Sequence, residues 1–126
     1  SHVFTGASQS GKTSLLRAFM NTIENENIAI VSLSAGAVKA DISSPTTLSD
    51  TIYNSIIARI TNAPTLLCLD EALDHETTTI RKSVLERLIA HTHTNNNIML
   101  VATHKRDDTN LFHPAAAHTL SAGKIL

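Results

Sequence analysis

A single cysteine, Cys68, stands in the 126 residues. One cysteine excludes an internal disulfide framework and fits a reducing, cytosolic setting. No apolar run reaches the roughly 18 residues that a transmembrane helix needs, and no secretory signal opens the chain. An excess of either charge is missing as well. The formal net charge is −1, so bulk composition points neither to nucleic acid nor to an anionic membrane. There is no internal repeat and no low-complexity tail. A starting Met is lacking, and the chain opens almost on its first motif, as expected of a segment of something longer. What is present is 42% apolar residues, enough to build one core in a chain of single-domain length, residues 1–126.

The stretch TGASQSGKTSLL, residues 5–16, is polar where a packed core would not be. Gly6, Ala7, Ser8, Gln9, Ser10, Gly11, Lys12 and Thr13 match G-x-x-x-x-G-K-[ST] in full. Glycines let the backbone fold around a phosphate without Cβ clashes. Successive N–H groups then converge into an anion nest, and the following helix aims its positive end at the same point. Residues 6–14, ending in Ser14, are therefore the expected triphosphate cradle. Lys12 is expected to neutralise the β and γ phosphates, and the Thr13 hydroxyl to face Mg²⁺.

Around this motif, short apolar runs alternate with helical periodicity. HVFT (2–5), IAIVSL (28–33), TLLCL (65–69) and IMLVAT (98–103) read as strands, and IAIVSL as a fully buried one. KTSLLRAFMNTI predicts a helix with Leu15, Leu16, Phe19, Met20 and Ile23 on one stripe. LSDTIYNSIIARI predicts a second from Leu48, Ile52, Ile56 and Ile60, and TTIRKSVLERLIAHT a third from Ile80, Val84, Leu85, Leu88 and Ile89. SAGAVKADISSPTT reads as a loop, and AHTLSAGKIL as a terminal hairpin around Gly123. Strands alternating with helices predict an α/β fold, a mostly parallel sheet sandwiched by helices.

Ligands of open α/β sheets lie beyond the carboxyl ends of the strands. TLLCL ends in Asp70-Glu71, and IMLVAT in His104. Asp70 is expected to hold Mg²⁺ through water, because Mg²⁺ keeps much of its hydration. Glu71 is expected to orient or deprotonate an attacking water. His104 is placed to bond a γ-phosphate and sense its loss. Elsewhere the expectations are structural. Cys68 reads as a buried small hydrophobe. His91 and His93, two apart, share no helical face and read as surface residues. Arg59 and Arg81 read as surface charges, and Arg17 as a snorkelling one.

The order of phosphate loop, LLCLDEALDHET, VATH and HTLSAGKIL resembles that of an ABC-class P-loop ATPase. The resemblance implies Mg-ATP hydrolysis with Lys12, Glu71 and His104 as catalytic groups and Thr13 and Asp70 on the metal. It also implies that Leu73-Asp74 is a D-loop meeting a second ATPase domain, in a homo- or heterodimer, across the nucleotide. The setting it implies is cytoplasmic, or peripheral at the inner face of a membrane through a partner or effector subunit. Departures accompany the likeness. The interval from Lys12 to Asp70 is too short for a full helical subdomain, and Gln9 is the only glutamine, so no Q-loop glutamine exists. Leu48-Ser49 and Ala58-Arg59 stand near the place of the family signature, with Asp50-Thr51 where its glycines belong. LSAGA (33–37) resembles the signature in letters only.

The leading expectation is thus an ATPase domain that drives conformational change in a partner, with transport as its work. The compact spacing also resembles MutS-type and RecF-type DNA-repair members. Two further readings stand beside these: an ATP-holding regulatory module with little hydrolysis, and a small kinase, for which no basic lid segment is seen. Balanced charge gives no signal for direct nucleic-acid contact by this segment.

Overall fold

A computed structural model describes residues 1–6, 11–23, 28–34, 45–60, 64–95, 97–121 and 124–125. The expectations on Ala7, Ser8, Gln9, Ser10, Gly123 and residues 35–44 lie outside the described residues. Those 35–44 positions include most of the predicted loop and the end of LSAGA.

Strands β1 (His2–Thr5), β2 (Ala29–Ser34), β3 (Thr65–Asp70), β4 (Ile98–Thr103), β5 (Ala117–Ser121) and β6 (Lys124–Ile125) form one sheet in the order β2-β3-β4-β1-β5-β6. The first five run parallel, and β5 and β6 close it as an antiparallel pair. The hairpin expected at the end of the chain is this pair. Helices α1 (Lys12–Ile23), α2 (Pro45–Ile57) and α3 (Thr78–Thr94) lie between the strands in sequence.

Strand parity decides the two cores, because successive side chains of a strand point to opposite faces. Val3, Leu33, Leu67, Leu69, Met99 and Val101 face α2 and α3, where Ile52, Ile56, Ile80, Val84, Leu85 and Leu88 meet them. Phe4, Leu66, Cys68, Leu100, Ala102 and Leu120 face α1 through Leu16. Each fully buried Leu or Ile here contributes about 1.5–3 kcal/mol of transfer free energy. The sheet is therefore sandwiched by helices, as expected. The α1 side is thinner: Phe19 of the predicted stripe remains 40% exposed.

The full burial expected of IAIVSL is not met: β2 ends the strand order, and of its residues only Leu33 is buried. Two boundaries also depart from the pattern. Helix α2 begins at Pro45, inside the predicted loop. Proline suits the first turn of a helix, where its missing N–H would have no partner. The helix stops at Ile57; the Ala58 amide still bonds Asn54 O, and the two after it close tighter turns, Arg59 N to Ile56 O and Ile60 N to Ile57 O. Thr77 caps α3, its hydroxyl accepting from the Ile80 amide. No helix among the described residues is long and apolar enough to cross a membrane.

Cys68 is fully buried, and burial, then the charge of Asp70, pushes its thiol up to about 11. A thiol-specific chromogenic reagent at pH 8 is therefore expected to give no fast reaction with the native protein and one equivalent once guanidinium is added. Rapid reaction of the native chain would contradict this packing.

Candidate functional site

Parallel strands deliver their carboxyl ends to one rim, and the register fixes who stands beside whom. Thr5 pairs with Thr103, and Asp70 with Ala102 and Ser34. Strand β4 thus lies between the strand that feeds the phosphate loop and the strand that ends in Asp70. The end of β4, Thr103-His104, emerges in the middle of the site.

Gly11 precedes α1 with φ 99°, a left-handed value that glycine adopts without Cβ strain. It puts Lys12 first in the helix, and Lys12 is 4% exposed. Lys12 Nζ donates to the Gly6 carbonyl at 2.8 Å and stands 3.7 Å from Glu71 Oε1. The first turn of α1 carries no acidic residue of its own; the carboxylates that face its N-terminal positive field come from the end of β3, Asp70 and Glu71. Thr13 Oγ1 donates to Asp70 Oδ2 at 2.8 Å. The other oxygen, Asp70 Oδ1, is buried and has no hydrogen-bond partner among the described residues. Ser14 is exposed on the same turn.

Glu71 adopts φ 58°. This left-handed conformation costs a non-glycine residue about 1–2 kcal/mol. The Glu71 amide donates to Ala102 O at 2.7 Å, which holds the turn. The turn throws the side chain back over the rim, where Oε1 lies 2.7 Å from His104 Nε2. Asp74 accepts from Thr103 Oγ1 at 2.7 Å and from the His104 amide at 2.8 Å. Ligand atoms of Glu71, Asp74 and His104 lie within 4.8 Å of one another. Glu71 Oε1 is engaged by His104 Nε2, and the two Asp74 oxygens by Thr103 Oγ1 and the His104 amide.

The structure therefore brings Gly6, Gly11, Lys12, Thr13, Asp70, Glu71 and His104 to one rim. It does not leave Leu73-Asp74 free: Leu73 packs in the core and Asp74 is tied to β4 within the chain. Nor does it present Leu48-Ser49 as a signature. Ser49 lies within α2, is 5% exposed, and donates to Ser83 of α3 at 2.7 Å. Asp50 accepts from Arg87 at 2.6 Å.

The surface reading of Arg81 is corrected. Arg81 is 4% exposed and its Nε lies 3.2 Å from both oxygens of Asp108, itself 1% exposed. Burial pushes the Asp108 carboxyl above the usual range, and Arg81 pulls it back. Arg81 stands four residues before Leu85, so the helical period could have flagged it as inward. Asp108 sits in KRDDTN, where no apolar period marks it as inward. Arg59 is exposed just beyond α2 and donates back to Ser55 of that helix.

No family model matches the chain, and no curated protein does. Solved structures do. A chain in the structure of Drosophila ORC bound to AT-rich DNA and Cdc6 superposes with a TM-score of 0.50 at 13% identity, over 96% of this chain and 48% of that one. One in the structure of Drosophila ORC bound to GC-rich DNA and Cdc6 gives a TM-score of 0.51, also at 13% identity, over 99% and 50%. The chain spans about half the length of these two solved chains. At this identity the likeness is one of fold.

Proposed function

We propose that this chain binds Mg-ATP on the phosphate loop, residues 6–13, and hydrolyses it. One observation carries the reading: Thr13 and Asp70 meet at 2.8 Å while the second Asp70 oxygen is buried without a partner among the described residues. Protein interiors seldom leave a carboxylate oxygen unsatisfied. A hydroxyl and a carboxylate side by side fit the donor set of Mg²⁺, which takes oxygen ligands and retained waters. When bound, Mg²⁺ supplies charge neutralisation at the β and γ phosphate oxygens.

The chain's own groups supply the rest. Lys12 exchanges the Gly6 carbonyl for phosphate oxygens. Amides at the start of α1 point at the same anion. Glu71 orients a water in line with the γ-phosphate and takes its proton at a side-chain oxygen. His104 holds Glu71 through its Nε2.

The ABC-class assignment belongs to the proposal and rests on the order Asp70-Glu71, Leu73-Asp74, His104. A head-to-tail partner remains part of it. Of the 73–75 loop, His75 is the residue exposed to meet such a partner. Transport has no supporting residue among those described.

Thermal unfolding tests the binding. At about 100 times its dissociation constant, Mg-ATP stabilises a protein by about 2.7 kcal/mol. For a chain of this size the expected rise in midpoint is roughly 10 °C, lost with EDTA and accompanied by phosphate release. An unchanged midpoint with saturating Mg-ATP would remove the proposal.

A further inference from the structure

The end of β4 is held by a chain of polar contacts that reaches well beyond the rim. Thr103, 1% exposed, donates its hydroxyl to Asp74 and accepts from the Lys105 amide at 2.9 Å. The same hydroxyl stands 3.4 Å from Asp108 Oδ2. Asp108 opens outward from this point to Arg81, whose Nη1 donates to the Glu76 carbonyl at 2.8 Å and whose Nη2 lies 3.4 Å from Thr78 Oγ1. Arg81 therefore joins two connections. One runs from β3 to α3 and carries Glu71 and Asp74. The other follows β4, carries His104, and leads into the 3₁₀ segment Arg106–Leu111.

A buried ion pair is a weak source of stability, because desolvation offsets the attraction; apolar residues of similar volume often serve as well. Apolar residues would not, however, set a third polar atom beside the Thr103 hydroxyl or tie the Glu76 carbonyl to the β4 exit. What the tie fixes is the separation of the two connections, and the groups they bring together are Glu71 and His104, 2.7 Å apart.

We propose that the buried Arg81–Asp108 pair, acting through Thr103 and Asp74, positions His104 against Glu71. Arg81 and Asp108 are positioning residues: they set turnover and leave nucleotide affinity unchanged. The inference rests on the reading that Glu71 works on the attacking water. A displacement of about 1 Å at such a group is enough to cost on the order of 100-fold in rate.

The test replaces the pair by apolar residues, Arg81→Met with Asp108→Leu, and separately makes Thr103→Val. Three quantities are read on each folded variant: the dissociation constant for Mg-ATP, kcat, and the His104 ring signals by NMR. Expected are a dissociation constant within about twofold of wild type, a kcat lower by about tenfold or more, and His104 signals that no longer respond when Glu71→Gln is added. A double variant that folds and turns over like wild type overturns the inference, as does one whose His104 signals respond to Glu71→Gln as the wild type's do. If the double variant does not fold, Thr103→Val decides by the same readings. If the wild type itself does not hydrolyse Mg-ATP, the functional reading falls, and the NMR comparison alone then decides the positioning.

Discussion

Glu71→Gln is expected to leave Mg-ATP binding within about twofold and to lower turnover by about 100-fold or more, the range that general acid–base groups supply. The substitution keeps the shape of the side chain. Its carbonyl still accepts from His104 Nε2, and the backbone turn at φ 58° is unchanged. What is lost is the capacity to take a proton. Glu71 stands where that capacity matters, at the strand end, between Lys12 and His104, with about a third of its side chain reachable by water. Lys12 loses its neighbouring charge at 3.7 Å, which favours phosphate rather than opposing it. Single-turnover phosphate release alongside a binding isotherm separates the two effects. Unchanged turnover would take Glu71 out of the role of base and leave its strained backbone without a functional reason.

Asp70→Asn has the opposite signature. It is expected to weaken Mg-ATP binding by about 100-fold, the larger end of what a charge-assisted contact is worth, and to abolish the difference between Mg-ATP and metal-free ATP. The asparagine oxygen can still accept from Thr13, so the contact between α1 and β3 survives. The buried Oδ1 position no longer carries negative charge, and a divalent ion has lost its anionic ligand. Affinity is to be measured with and without EDTA on both proteins. A retained magnesium dependence in Asp70→Asn would move the cation elsewhere on the rim, with Glu71, Asp74 and His104 the next candidates.

Much of this was legible in the sequence because its signals are local. The phosphate-loop spacing needs only residues 6–13, and an apolar run that stops at a charged pair marks the end of β3. IMLVAT gave the bounds of β4 as they stand, since Asn95–Asn97 punctuate one side and His104-Lys105 the other. Sheet order was not legible. Parallel pairing joins residues far apart in the chain, so nothing local says that β4 lies between β1 and β3. Pro45 suits a loop and the first turn of a helix alike, so the letters alone do not place the start of α2. Leu48-Ser49 carried signature letters, but the helix that contains them buries Ser49 against Ser83, which no linear pattern announces. Arg81 and Asp108 are charged residues whose burial depends on each other, and a single-residue reading places both at the surface.

Equilibrium dialysis of the purified chain against labelled ATP, with magnesium and with EDTA, tests whether the Gly6–Thr13 loop and Asp70 form one nucleotide site. One saturable equivalent per chain is expected with magnesium, displaced by unlabelled ATP and much weakened by Asp70→Asn. Saturating magnesium with no displaceable ATP retained would contradict it.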